Sequence, residues 1–95
     1  MEALNPLSQF FSAIAQDYRI SSTHICVYAA LLQFSLDKGA VNPIEAFSYE
    51  IMHIAKISAR YTYNKCVREL NDYGYIRYEP SFKNNQGSKI YLIVN

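Results

Sequence analysis

Arg60, Tyr61, Asn64, Lys65 and Arg68 fall close together in residues 58–73 of this 95-residue chain. On a helix turning about 100° per residue, these five side chains share an arc of about 140°. Arginine can bond bidentately to the edge of a guanine, and asparagine can do the same to adenine. Lysine meets phosphate as a point charge, and tyrosine can donate to phosphate or pack on a thymine methyl. Ser58, just before the helix, could help its first amides hold a phosphate. The set fits recognition of a polyanion that also presents planar hydrogen-bonding edges. A plain solvated face would use similar residues, and Glu69 could pair with Lys65 at i,i+4 in that case.

The opposite arc of the same helix is apolar. Ala59, Tyr63, Cys66, Val67 and Leu70 lie within about 100° of one another and should face a core. Charge is also divided along the chain. Residues 1–50 hold two bases and five acids, for −3, whereas residues 51–95 hold seven bases and three acids, for +4. That asymmetry suits an anionic partner, although so few charges can divide this way by chance.

Several elements must position these residues. Asn5-Pro6 opens a helix over residues 6–18, with Leu7, Phe10, Phe11, Ile14, Ala15 and Tyr18 forming one apolar stripe. Ser21, Ser22 and Thr23 offer caps for a helix over residues 23–37, apolar on nearly every side and hence buried on more than one face. Residues 40–45 form a connector, with Phe47 in a very short strand. Ser48 caps a third helix over residues 49–55. Lys56-Ile57 makes a turn, and Ser58 caps a fourth helix that Gly74 stops. Residues 76–79 and 90–94 alternate as two strands around a polar loop, residues 81–88, and Lys83, Asn84, Asn85, Gln86 and Ser88, with Lys89 just after it, can donate to phosphate. The expectation is one mainly α domain with a small β-hairpin, an α+β class, spanning residues 1–95.

The segment "YEIMHIAKISARYTYNKCVRELNDYGYIRYEP" resembles the winged helix-turn-helix superfamily of bacterial DNA-binding proteins, and the resemblance extends over residues 23–94. The leucine, glycine and apolar pair at Leu70, Gly74, Tyr75 and Ile76 carry it, and "NDYGYIRY" before "GSKIYLI" looks like small regulators and mobile-element proteins. It implies a helix-turn-helix over residues 48–73, a wing over residues 75–94 and an extra N-terminal helix. It also implies double-stranded DNA as partner, met by Ser58, Arg60, Tyr61, Asn64, Lys65 and Arg68 on the recognition helix and by Lys83, Asn84, Asn85 and Lys89 on the wing. Two departures stand out: Lys56 occupies a turn where many members carry glycine, and the wing has two lysines only. A protein-interaction or replication-initiation module of a plasmid or mobile element is the alternative the same resemblance allows.

Other chemistry is not expected. There is no phosphate-cradling glycine loop or nucleophile elbow, so no enzyme is foreseen. His24, Cys26, His53 and Cys66 lack metal-ligand spacing, and neither metal nor cofactor is foreseen. Two cysteines make no disulfide framework, no long apolar run suggests a membrane span, and the N-terminus lacks signal-peptide features, all of which point to the cytoplasm. The first stripe could cover the second helix within one chain. The alternative, a homodimer through Leu7, Phe10, Phe11, Ile14 and Tyr18, is the expectation, because paired half-sites enlarge a small footprint.

Overall fold

Residues 5–93 are described by a computed structural model of the chain. Among them are four helices and a three-stranded antiparallel sheet, in the order α1 (Pro6–Ile14), α2 (Ser22–Asp37), β1 (Ile44–Ala46), α3 (Ser48–Ala55), α4 (Arg60–Asp72), β2 (Ile76–Glu79) and β3 (Ser88–Leu92). The α+β class is as the sequence indicates. The last expected strand residue, Val94, lies outside the described residues. No described helix is long and apolar enough to cross a membrane.

The core is built around α2. Val27, Tyr28, Ala30, Leu31 and Phe34 are all buried, and α1, α3, α4 and β1 each pack on this helix. Its start is doubly tied: the His24 N–H donates to Ser21 Oγ at 3.4 Å, and the Ser21 N–H donates to His24 Nδ1 at 2.9 Å. These are the reciprocal bonds of a capping box, with an imidazole in place of the usual carboxylate.

Helix α1 starts as read, with Asn5 Oδ1 accepting from the Leu7 N–H at 2.9 Å. It stops at Ile14, four residues before Tyr18. The cause is Asp17, whose carboxylate takes the Arg19 N–H at 3.1 Å, the Arg19 guanidinium at 2.8 Å and the Tyr75 hydroxyl at 2.6 Å. A side chain that binds the backbone two residues on offers the chain a turn in place of a helix.

The apolar stripe of α1 is not available as one outer surface. Phe10 is 4 % exposed, stacks on Tyr28 with ring centroids 3.9 Å apart, and meets Tyr75 edge-on. Leu7 and Ile14 pack on the same core, whereas Phe11 faces outward and Tyr18 stands on a turn beyond the helix. Three of the five residues expected at a dimer contact are thus engaged inside their own chain.

The connector before α3 contains a strand that the sequence reading places one residue late. Ile44 and Ala46 are buried while Glu45 is exposed, and β1 pairs with β3 through Ile44↔Ile90, Glu45↔Lys89 and Ala46↔Ser88. Phe47 begins α3 instead: its N–H donates to Glu50 Oε1 at 2.9 Å, so Ser48 is not the cap. Asn42 extends the pairing beyond β1. Its carboxamide donates to the Leu92 carbonyl and accepts from the Leu92 N–H, each at 2.9 Å, as a strand residue would.

Between α3 and α4, Lys56 is left-handed at φ 61°. The Ile57 N–H then reaches back to the Met52 carbonyl at 3.0 Å. Ala59, not Ser58, is the N-cap of α4, and Ala59 is exposed rather than packed in the core. Tyr63, Cys66, Val67 and Leu70 are buried as expected. At the far end Gly74 takes φ 89°, and the Tyr75 N–H closes on the Leu70 carbonyl at 2.9 Å. This is a Schellman stop, with glycine at the position where a Cβ is penalised.

The sheet order is β1-β3-β2, and β2 pairs with β3 through Ile76↔Leu92, Arg77↔Tyr91, Tyr78↔Ile90 and Glu79↔Lys89. Ile44, Ala46, Ile76, Ile90 and Leu92 are buried on its inner face. Gly87 lies so close to β1 that a Cβ there would sit 2.8 Å from Ala46 backbone atoms.

Two predictions follow from the turns. A left-handed lysine carries a cost of about 1–2 kcal/mol that glycine avoids, less what glycine loses in chain entropy. Lys56→Gly should therefore raise stability by up to about 1 kcal/mol in urea denaturation, with Lys56→Ala near neutral. The Arg19 guanidinium, and next the Tyr75 hydroxyl, hold the Asp17 carboxyl well below the usual carboxylate range. A depressed value contributes stability above the unfolded pKa of about 3.9, lost as pH falls toward the folded value. Thermal unfolding of Asp17→Asn should accordingly show a shallower loss than wild type between about pH 5 and pH 2.

Candidate nucleic-acid interface

The α4 residues singled out from sequence come together on one outward surface. Tyr61, Asn64, Lys65, Arg68 and Glu69 line an open groove along the helix. Arg60 occupies the first helical position of α4 and is exposed, outside the lining of this groove. Tyr61 is 76 % exposed, and Asn64 is half-buried. The buried arc opposite fixes this orientation, since Tyr63, Cys66, Val67 and Leu70 can face only the core.

The start of α4 is open to an anion. Ala59 makes no side-chain cap bond. The first-turn amides of an α-helix have no partner within the helix, and the dipole favours negative charge there. Ser58 is exposed beside this end without capping it.

The ion pairs separate the arginines into two kinds. The chain has four. Arg19 forks onto both carboxylate oxygens of Asp17 at 2.8 Å, and its guanidinium lies 4.0 Å from the Tyr73 ring centroid. Arg77 donates to Glu79 at 2.6 Å and lies 4.4 Å from the Tyr91 ring centroid. Arg60 and Arg68 have no ion pair and no aromatic ring beneath them among the described residues.

Glu69 is the one carboxylate in the groove, and it is engaged from two sides. Its Oε1 lies 2.8 Å from His24 Nε2, and its Oε2 lies 3.7 Å from Lys65 Nζ. The Ser21 N–H can only donate, so His24 Nδ1 accepts and Nε2 carries the proton given to Glu69. The i,i+4 pairing of Lys65, which a solvated face would use, is therefore present, but at 3.7 Å and on an exposed lysine it is weak.

The loop residues form a second group. Lys83, Asn84, Asn85 and Gln86 are exposed between β2 and β3. Lys89 differs from them: it lies within β3, directly opposite Glu45 on one side and Glu79 on the other. Two acids flank this one base, which lowers the positive potential at Lys89 relative to Lys83. The sequence reading also passed over Phe82, which is 94 % exposed in this loop. The signal was its position, a single aromatic in a polar loop.

His24 and Cys66 take packing roles, whereas His53 and Cys26 are exposed. Both ring nitrogens of His24 are hydrogen-bonded, Cys66 is buried, and burial pushes its thiol up, followed by the nearby Glu69. Among the described residues no three His, Cys, Asp or Glu side chains cluster in a way that could hold a metal ion.

Removing the Glu69 acceptor would leave a buried imidazole N–H without a partner, at a cost of about 1–3 kcal/mol. Glu69→Ala should lose that much in chemical denaturation, while Glu69→Gln, which keeps an acceptor oxygen, should recover part of it. Comparison with protein-family models, with curated proteins and with solved structures found no match for this chain.

Proposed function

We propose that this chain is a winged helix-turn-helix protein that binds double-stranded DNA as a bacterial transcriptional regulator. In this reading α3 and α4 are the paired helices, α4 enters a major groove, and the loop over residues 81–88 is the wing that touches flanking backbone. Residues 56–59 make a turn of the length such helix pairs use, and the hairpin follows α4 directly. Pairing of β1 with β3 ties the hairpin to the helical body, which gives a wing a fixed base.

The observation that carries the reading is the state of the arginines. Arg19 and Arg77 are held by carboxylates and rings, whereas Arg60 and Arg68 stand unpaired on the same face as Tyr61 and Asn64. A guanidinium left unpaired beside an amide is suited to base edges, and the uncapped start of α4 is suited to phosphate. Residues near the N-terminus of such a helix approach the bases, which assigns Arg60, Tyr61 and Asn64 to readout. Lys65 and Arg68, further along, meet the backbone.

Duplex selection followed by fluorescence anisotropy over a salt series tests this. Arg60→Ala should weaken the selected site by about 1–3 kcal/mol and relax the base preference at one position. Lys65→Ala should weaken all duplexes alike and lower the salt slope by about one. Lys83→Ala should do the same, and Lys89→Ala should have the smaller effect of the two loop lysines. Absence of duplex binding at low salt would instead favour a protein-interaction module of a replication or transfer complex.

A further inference from the structure

The loop between β2 and β3 is fastened at both ends and presents one aromatic ring. At its entry Pro80 restricts the backbone, and the Ser81 N–H donates to Ser88 Oγ at 3.3 Å across the hairpin. The Lys83 N–H donates to Ser81 Oγ at 3.2 Å, and the Gln86 N–H donates to the Lys83 carbonyl at 3.3 Å. At its exit Gly87 is buried against the Ala46 backbone. Between these ties Phe82, Lys83, Asn84, Asn85 and Gln86 are all exposed.

Phe82 is the most exposed of the large apolar side chains described. Phe10 and Phe34 are buried in the core, and Phe47 packs against Tyr49. No fold contact accounts for placing a phenyl ring at the end of a braced polar loop. The residues around it are donors: Lys83, Gln86 and Lys89 line a shallow concavity beside the ring, with Glu79 also on its wall. An apolar wedge among cationic and amide donors matches the device by which proteins enter a minor groove, unstack one base step and hold the sugar–phosphate on either side.

We infer that Phe82 is a wedge that inserts between adjacent bases in the minor groove of duplex DNA beside the site read by α4. The inference rests on the proposed duplex-binding function and adds a named residue, a groove and a deformation of the DNA to it. Lys83, Asn84 and Asn85 hold the phosphates and sugars flanking the opened step. Flexible pyrimidine–purine steps are the easiest to unstack, so the preferred flank should contain one.

The test uses the full chain with a selected duplex carrying 2-aminopurine at successive flanking positions. Wild type should raise the fluorescence at one step, reporting unstacking there. Phe82→Ala should abolish that rise and weaken binding about tenfold, the lower range of one base–aromatic stack. Phe82→Leu should retain most of both, because an apolar wedge remains. The side chain makes no core contact, so the variants should melt with wild type. If wild type binds the duplex with base preference but Phe82→Ala changes neither signal nor affinity, the wedge is wrong and duplex binding stands. If Phe82 matters only for the separated strands, a single-strand stacking role replaces it. If wild type binds no duplex, both fall together.

Discussion

One helix has to be dry on most of its circumference for this fold to exist, its solvent side being the stripe of Ser22, Cys26, Gln33 and Leu36. Val27 and Leu31 of α2 are fully buried, with Tyr28 almost so, and every other helix packs against the same cylinder. A domain of this size has few ways to remove enough apolar surface from water, and wrapping one apolar helix is an economical one. That arrangement sets the position of α4. Its apolar arc meets α2 and the sheet, and its cationic arc has only solvent left to face. The one polar side chain inserted at the start of α2, His24, is answered by Ser21 behind it and Glu69 of α4 in front. The bond that satisfies a buried imidazole thus also joins the central helix to the helix bearing the candidate surface.

The distribution of charge partners gives the molecule its polarity. On the outer face of the sheet Arg77, Glu79, Lys89, Tyr91 and Glu45 alternate in sign or stack, and the face is close to neutral. Near α1, Arg19 is neutralised by Asp17. Among the described residues, the cations without an ion pair include Arg60 and Arg68 on α4 and Lys83 in the β2–β3 loop, with Lys38 and Lys56 at the ends of α2 and α3. The Arg19–Asp17 and Arg77–Glu79 pairs each cancel within their own half of the sequence, so the charge asymmetry between the halves survives folding.

Residues related by a local period could be placed from sequence, and those related only through distant contacts could not. The arc of Tyr63, Cys66, Val67 and Leu70 follows from helical geometry, and so do its opposite, Arg60 to Arg68, and the stop at Gly74. Helix α1 is shorter than its apolar stripe because Asp17 closes a turn on the Arg19 N–H, and the Tyr75 hydroxyl that also holds this carboxylate comes from far along the chain. Strand β1 is three residues, too short for alternation to be distinguished from a connector, and its identity comes from β3. Lys89 reads from sequence as one more cation of the wing, and only strand register shows Glu45 and Glu79 on either side of it. The departure noted at Lys56 was informative: the turn does require a left-handed residue there, and lysine adopts it. Phe82 was passed over because an aromatic in a short polar loop is equally compatible with a ring folded back on the hairpin; only its exposure separates the two.

Gly87 sits hard against Ala46, and Ser81 is latched to Ser88, so the hairpin is clamped just below its end. Length changes or replacements confined to residues 82–86 would leave both fastenings untouched. The tip can therefore vary as a cassette while the body stays constant, and a lineage could retarget this surface by exchanging five residues without reopening the problem of how the domain folds.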